Sequence, residues 1–153
     1  MNKLIQNSTV SPKGWVTVTK TNELGQITEQ FEVPNLVVTT GKIYIAGKMI
    51  ATDSNVPVAM SHMAIGTGTA SPIAEDTTLG TQTGRVLLSG NLQENNAITY
   101  TATFPAGTGT GAITEAGIFN ASTGGSMLCR TVFPVVTKQA GDTIAITWKV
   151  TVS

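Results

Sequence analysis

The closing stretch of the chain, DTIAITWKVTVS at residues 142–153, decides the fold class. Ile144, Ile146, Trp148, Val150 and Val152 fall on one face and Thr143, Ala145, Thr147, Lys149 and Thr151 on the other, the period of two that a half-buried strand requires. Leaving the apolar face in water would forgo roughly 1.5–3 kcal/mol per large side chain, so a second layer must cover it. The spacing therefore predicts a core strand led by Trp148. Its neutral outer row is left for water or a neighbour.

Upstream, residues 97–104 repeat the pattern, with Ile98, Tyr100, Ala102 and Phe104 alternating against Thr99, Thr101 and Thr103. Residues 15–20 and 27–33 are expected to pair as a hairpin. Ile27, Glu29, Phe31 and Val33 share a face there, and the connection at 22–26 carries a glycine for a positive φ. From Arg85 onward the sequence predicts an antiparallel meander over 85–89, 97–104, 113–120, 127–133 and the final strand. Its turns would hold Asn95-Asn96, Gly107-Thr108-Gly109-Thr110-Gly111, Gly124-Gly125 and Gly141-Asp142. A short apolar strand is expected at 58–65, closed by Gly66-Thr67-Gly68-Thr69. The long connection at 70–85 follows, with Asp76 placed to cap one helical turn. The one expected helix spans 39–51, capped by Thr39 or Thr40 and presenting Ile43, Ala46, Gly47 and Ile50. Residues 1–13 are polar, end in Ser11-Pro12-Lys13, and read as an arm laid on a partner. The expected architecture is this arm followed by a single domain over 14–153. That domain is an all-β antiparallel sandwich, jelly-roll or immunoglobulin-like, with one short α-helix.

Composition narrows the function. A chain of 153 residues suits one domain with a sizeable core. Only 12% of its residues are charged, nine basic against nine acidic, where an ordinary domain has about 25%. That balance argues against nucleic acid and anionic membrane as partners, because both select for clustered Lys and Arg. Between Glu94 and Arg130 the only charged side chain is Glu115. Long uncharged stretches on a neutral chain favour association, so a homo-oligomer is expected. Threonine is the most frequent residue, which suits a pleated surface. Residues 1–10 lack the basic start and apolar run of a signal peptide, and no stretch approaches the roughly 18 apolar residues of a membrane span. Synthesis in a cytoplasm is expected.

Catalytic chemistry finds little support. The Gly-Thr tracts lack the Gly-Lys-Ser/Thr ending of a phosphate loop, and read as turns whose glycines allow left-handed or close-packed backbone. His62 and Cys129 are each the sole member of their type. A zinc site needs three or four ligands and a cysteine nucleophile needs a positioned histidine, so a structural histidine and a buried inert thiol are expected. Glu75 and Asp76 sit together in a loop and are expected to be solvated. No triad or carboxylate pair is spaced for catalysis. The expectation is no enzyme, no metal and no cofactor. Trp15, Tyr44, Tyr100 and Trp148 are the residues from which a sugar platform would be built, although Tyr100 and Trp148 fall on apolar faces and read as core.

The set Met63-Ala64-Ile65-Gly66-Thr67-Gly68, Asp76-Thr77-Thr78-Leu79-Gly80 to Arg85-Val86, Ile113-Thr114-Glu115-Ala116-Gly117-Ile118-Phe119-Asn120, Arg130-Thr131-Val132-Phe133-Pro134-Val135-Val136 and Ile146-Thr147-Trp148 resembles a family of small tailed-bacteriophage virion structural proteins, of the head-decoration and tail-fibre type. The resemblance covers roughly residues 35–153. It implies a virion location, other virion proteins such as the major capsid protein or tail proteins as partners, and no catalytic residue. The function expected from it is a capsid decoration, or cement, protein that stabilises the assembled head. A tail, neck or fibre module, perhaps as a trimer, is the alternative, and a host-glycan-binding module is the second. The residues expected at the interface are Asn2, Lys3 and Lys13 of the arm, Thr67, Thr69, Glu75, Asp76 and Arg85 around the long loop, and Thr147 and Lys149 on the last strand.

Overall fold

A computed structural model of the chain describes residues 12–50 and 56–153. The chain forms β1 (Pro12–Thr21), β2 (Ile27–Pro34), β3 (Leu36–Val37), α1 (Thr39–Lys48), β4 (His62–Gly66), β5 (Gln82–Leu87), β6 (Gly90–Glu94), β7 (Ala97–Phe104), β8 (Gly111–Phe119), β9 (Met127–Lys138) and β10 (Thr143–Val152). Two five-stranded antiparallel sheets face each other, ordered β2-β1-β10-β7-β6 and β3-β9-β8-β4-β5. The fold is an all-β sandwich with one short helix. β10 is the central strand of the first sheet, and its Ile144, Ile146, Trp148 and Val150 are buried in the space between the sheets. Val16, Val18, Tyr100, Ala102 and Phe104 join them from β1 and β7, and Ile65, Ile113, Ile118 and Cys129 from the second sheet.

The expected hairpin forms: β1 pairs with β2 from Trp15↔Pro34 to Thr21↔Ile27. Asn22 shapes its turn by accepting the Leu24 and Gln26 amides on its side-chain oxygen, and Gly25 supplies the positive φ of 79°. The simple meander does not form. β5 lies in the second sheet, β6 and β7 in the first, β8 and β9 in the second and β10 in the first. Each crossing covers one apolar face with another, whereas a meander would leave a single sheet half exposed. A further strand, β6, precedes β7 and turns into it at Asn95 and Asn96, with Asn95 at φ 52°. Its sequence GNLQE carries one large apolar side chain, too few to reveal a period.

Several boundaries differ from the sequence reading, among them β1, which begins at Pro12 inside the expected arm. The strand expected at 58–65 begins at His62, leaving Val58 exposed, and β5 begins at Gln82 inside the expected long loop. β9 continues past Pro134 to Lys138. Pro134 is tolerated because the β8–β9 ladder is interrupted there, where pairing jumps from Ile113↔Val136 to Glu115↔Val132. The helix ends at Lys48, and its inward face is Gly41, Tyr44 and Ile45 rather than Ile43, Ala46, Gly47 and Ile50. Ile43 and Ile50 are exposed. Close approach to β9 sets this rotation, since a Cβ at Gly41 would fall on the Leu128 carbonyl oxygen. Neither Thr39 nor Thr40 caps α1; Val38 holds the cap position, and Thr40 Oγ1 donates instead to the Met127 carbonyl at 2.8 Å.

Candidate interaction surface

The outward faces of the two sheets are finished differently. On the second sheet, Ala64, Phe119 and Met127 point away from the main core and are buried by Val38 and Leu79 as a separate small cluster. The connection between β4 and β5 lies over them, held by one carboxylate. Glu115 is fully buried, and its Oε1 accepts the Gly68 amide at 2.9 Å and the Thr81 amide at 2.7 Å. Its Oε2 accepts the Gly80 amide at 2.9 Å, Arg130 Nη2 at 2.8 Å and Arg130 Nε at 3.1 Å. Arg130 then donates through Nη1 to Asp76 at 2.8 Å and through Nη2 to the Ala70 carbonyl at 3.0 Å. Burial alone would raise the Glu115 carboxyl, but the amides of Thr81, Gly80 and Gly68 together with Arg130 hold it below the ordinary glutamate value.

The glycines of the loop answer to this clasp. A Cβ at Gly66 or Gly68 would collide with Glu115 Oε1, so the Gly-Thr-Gly-Thr sequence is a close-packed backbone seat for a buried carboxylate. Asp76 is therefore not solvated as expected. It ion-pairs with Arg130 and accepts the Ile73 amide at 3.0 Å, closing a turn, while its neighbour Glu75 is exposed. Arg85 is also occupied internally. Its guanidinium lies 3.7 Å from the centroid of the Phe119 ring and donates to the Ala121 and Gly124 carbonyls, both at 3.0 Å.

The outward face of the first sheet carries no such cover from the described residues. Register sets Pro34, Trp15, Lys149, Thr99 and Leu92 side by side across five strands, and in the next row Glu32, Thr17, Thr147, Thr101 and Gly90. A third row holds Gln30, Thr19, Ala145 and Thr103. Neighbouring strands are tied at this surface by Thr17 Oγ1 to Glu32 at 3.3 Å, Gln30 Nε2 to Thr19 Oγ1 at 3.0 Å, and Ser89 Oγ to Thr101 Oγ1 at 3.2 Å. Trp15 is 59% exposed and Leu92 58%. The result is a pleated, nearly neutral threonine surface with a large aromatic standing on it.

Of the residues expected at an interface, Lys13, Thr147 and Lys149 are brought together on this face and are all exposed. Lys13 lies in β1, opposite Thr151, and not in an arm. Thr67, Thr69 and Glu75 belong to the loop on the opposite sheet, where Asp76 and Arg85 have the internal partners just described. Asn2, Lys3 and the arm through residue 11 lie outside the described residues. The four aromatics do not gather into one platform: Trp148 is in the core and Trp15 stands on the outer face of the first sheet, while Tyr44 of α1 and Tyr100 of β7 line one cleft.

Sequence reasoning missed the Glu115–Arg130 pair as a unit. The signal was present in two isolated opposite charges in a long uncharged stretch of predicted strands, since a lone charge in a core strand requires a partner. Cys129 is enclosed, and burial pushes its thiol far up. His62 Nδ1 lies 2.8 Å from Ser61 Oγ. Among the described residues no three His, Cys, Asp or Glu side chains are grouped to hold a metal, and no helix is long and apolar enough to cross a membrane. No family model, curated protein or solved structure matches this chain.

Proposed function

We propose that the protein is a bacteriophage virion structural component, a decoration protein that binds the assembled head through the outer face of its first sheet. The observation that carries this reading is the face around Trp15 and Thr147, which no described residue covers. Five strands about 4.8 Å apart and about eight residues long give a footprint of roughly 600 Å², not far short of the roughly 800 Å² per partner of a standard interface. Threonine hydroxyls make up most of this face, so the charges to be desolvated on pairing with a neighbour are few, chiefly Lys13, Glu32 and Lys149. Binding only the assembled lattice would stabilise the shell by mass action.

The segments that carry the family resemblance support the same division of labour. Gly66 to Gly68, Asp76 to Gly80, Glu115 and Arg130 converge on a single buried clasp. They hold the fold. What the protein contacts is then left to the first sheet and to residues 1–11. Quantitative mass spectrometry of purified particles tests the proposal. Copies in the hundreds are expected, and a handful to a few dozen would assign the protein to the tail or a fibre instead.

A further inference from the structure

β6 is an edge strand of the first sheet, paired with β7 on one side and, among the described residues, with no strand on the other. Residues Asn91 to Glu94 are all exposed, Leu92 among them. The turn fixes which backbone groups of β6 are already bonded. Only Asn95 and Asn96 separate Glu94 from Ala97, so these two paired residues exchange both of their backbone bonds. Alternation from that pair gives β7 the amides and carbonyls of Glu94, Leu92 and Gly90. Those of Asn91 and Gln93 point the other way, to the open edge.

An edge of this kind accepts another strand unless its side chains prevent it. β2, at the far side of the same sheet, carries Glu29 and Glu32 and ends in Pro34, which has no amide hydrogen to give. A second copy laid against β2 would line up the carboxylates of both chains along one seam. β6 has one charged residue, Glu94, at its end beside the turn. Its sequence also complements itself. When a second β6 runs antiparallel with Asn91 opposite Gln93, each of the two such pairs exchanges two backbone bonds, four in all. Leu92 then stands opposite the leucine of the second copy in the closer-spaced kind of pair, about 4.5 Å between Cα atoms, and Glu94 stands opposite Gly90. Sliding by two residues sets Leu92 against Gly90 or against Glu94. Only the central register brings the leucines together and keeps the carboxylates at opposite ends.

We infer that β6 strands of two copies pair across a two-fold axis in this register, joining two five-stranded sheets into one of ten strands. The contact is isologous and closes at two chains. On the inner side, Asn91 and Gln93 also line the cleft of Tyr44, Met49 and Tyr100, so the joined edges place two such clefts next to one another. On the outer side, Leu92 ends the row that runs through Trp15, Lys149 and Thr99, so pairing makes the two outer faces continuous. The inference goes beyond particle binding, because it concerns how copies of this chain hold one another and leaves the outer face free to dock.

Light scattering and cysteine substitution test it on the full chain. The parent protein at micromolar concentration should show the mass of two chains. Leu92→Lys sets like charges opposite each other on the axis and should halve that mass, with a single cooperative melt retained because residue 92 is exposed. Under mild oxidation Leu92→Cys should link two chains by a disulfide, while the buried Cys129 takes no part. Glu94→Cys should stay unlinked, because the two copies of residue 94 lie four residues apart along the seam, about 14 Å. A single-chain mass for the parent, an unchanged mass for Leu92→Lys, an unlinked Leu92→Cys, or a Glu94→Cys that links as readily overturns the proposal.

Discussion

The outer faces of the two sheets answer the same physical problem in opposite ways. The second sheet buries its outer side under its own loop, with Leu79 over Phe119 and Met127 and with Glu115 holding three loop amides and Arg130. The first sheet presents a tryptophan and rows of threonine with no cover among the described residues. One face is finished by the chain's own loop, and the other, among the described residues, is left to polar threonine rows around an exposed tryptophan. Charge follows the same division. On the second sheet a carboxylate is buried and paired, whereas on the first sheet the few charges of the outer face, Lys13, Glu32 and Lys149, are exposed.

The strongest way to break this contrast is at the clasp. Arg130→Met removes the cation that bonds the buried Glu115 carboxylate, and loss of one partner of a buried pair costs about 3–5 kcal/mol. The denaturation midpoint should fall accordingly, with protease cutting in the loop between Gly66 and Gln82. Combining Arg130→Met with Glu115→Gln should recover part of the loss, because no unpaired charge remains. Trp148→Ala, on the inner face, should cost a comparable amount, about 3–5 kcal/mol, by opening a cavity in the main core. The two differ in what opens: the first releases the loop, the second loosens the whole sandwich.

Acid provides a milder test. The folded-state pKa of Glu115 lies below its ordinary value of about 4.5, so its stabilising contribution is complete above that value and is lost as the pH falls through the folded pKa. Melting temperatures should hold steady from neutrality to about pH 5 as far as this group is concerned, then decline. Hydrogen exchange at the Gly68, Gly80 and Thr81 amides should accelerate first. In Glu115→Gln that part of the acid slope should be missing; an unchanged slope would mean that other carboxylates govern it.

How far the sequence disclosed this arrangement depended on periodicity. β10, β7 and the first hairpin were legible because side chains alternate between a core and water. β8 and the start of β9 are buried on both faces, so their residues carry the fold without an alternating signal, and the partition between sheets stayed hidden. The helix was located but turned wrongly, since its inward face is built on Gly41, which no hydrophobic pattern marks. At the candidate surface, alternation places Thr147 and Lys149 on the outer row, whereas Lys13, read as part of the arm, reaches the same face only because β1 begins at Pro12. Asp76 was misread because its partner Arg130 is 54 residues away, a separation no local pattern spans.

The smallest expected effect on stability carries the most information about the bare face. Thr147 is exposed in the middle of the first sheet, between Thr17 and Thr101, so Thr147→Arg should change stability by no more than about 0.5 kcal/mol. Its neighbour Trp148, one residue along the same strand, serves as the internal control for a change that unfolds. An arginine at 147 would stand in the row beside Lys149 and would have to be desolvated by any neutral surface pressed against it, at several kcal/mol for the ion. If the face is covered in the particle, the variant should melt like the parent protein and fail to remain with particles on sedimentation. If it sediments undiminished, the first sheet's outer face is solvated in the assembly as well. The difference between the two faces would then reflect only which side the long loop happens to cover.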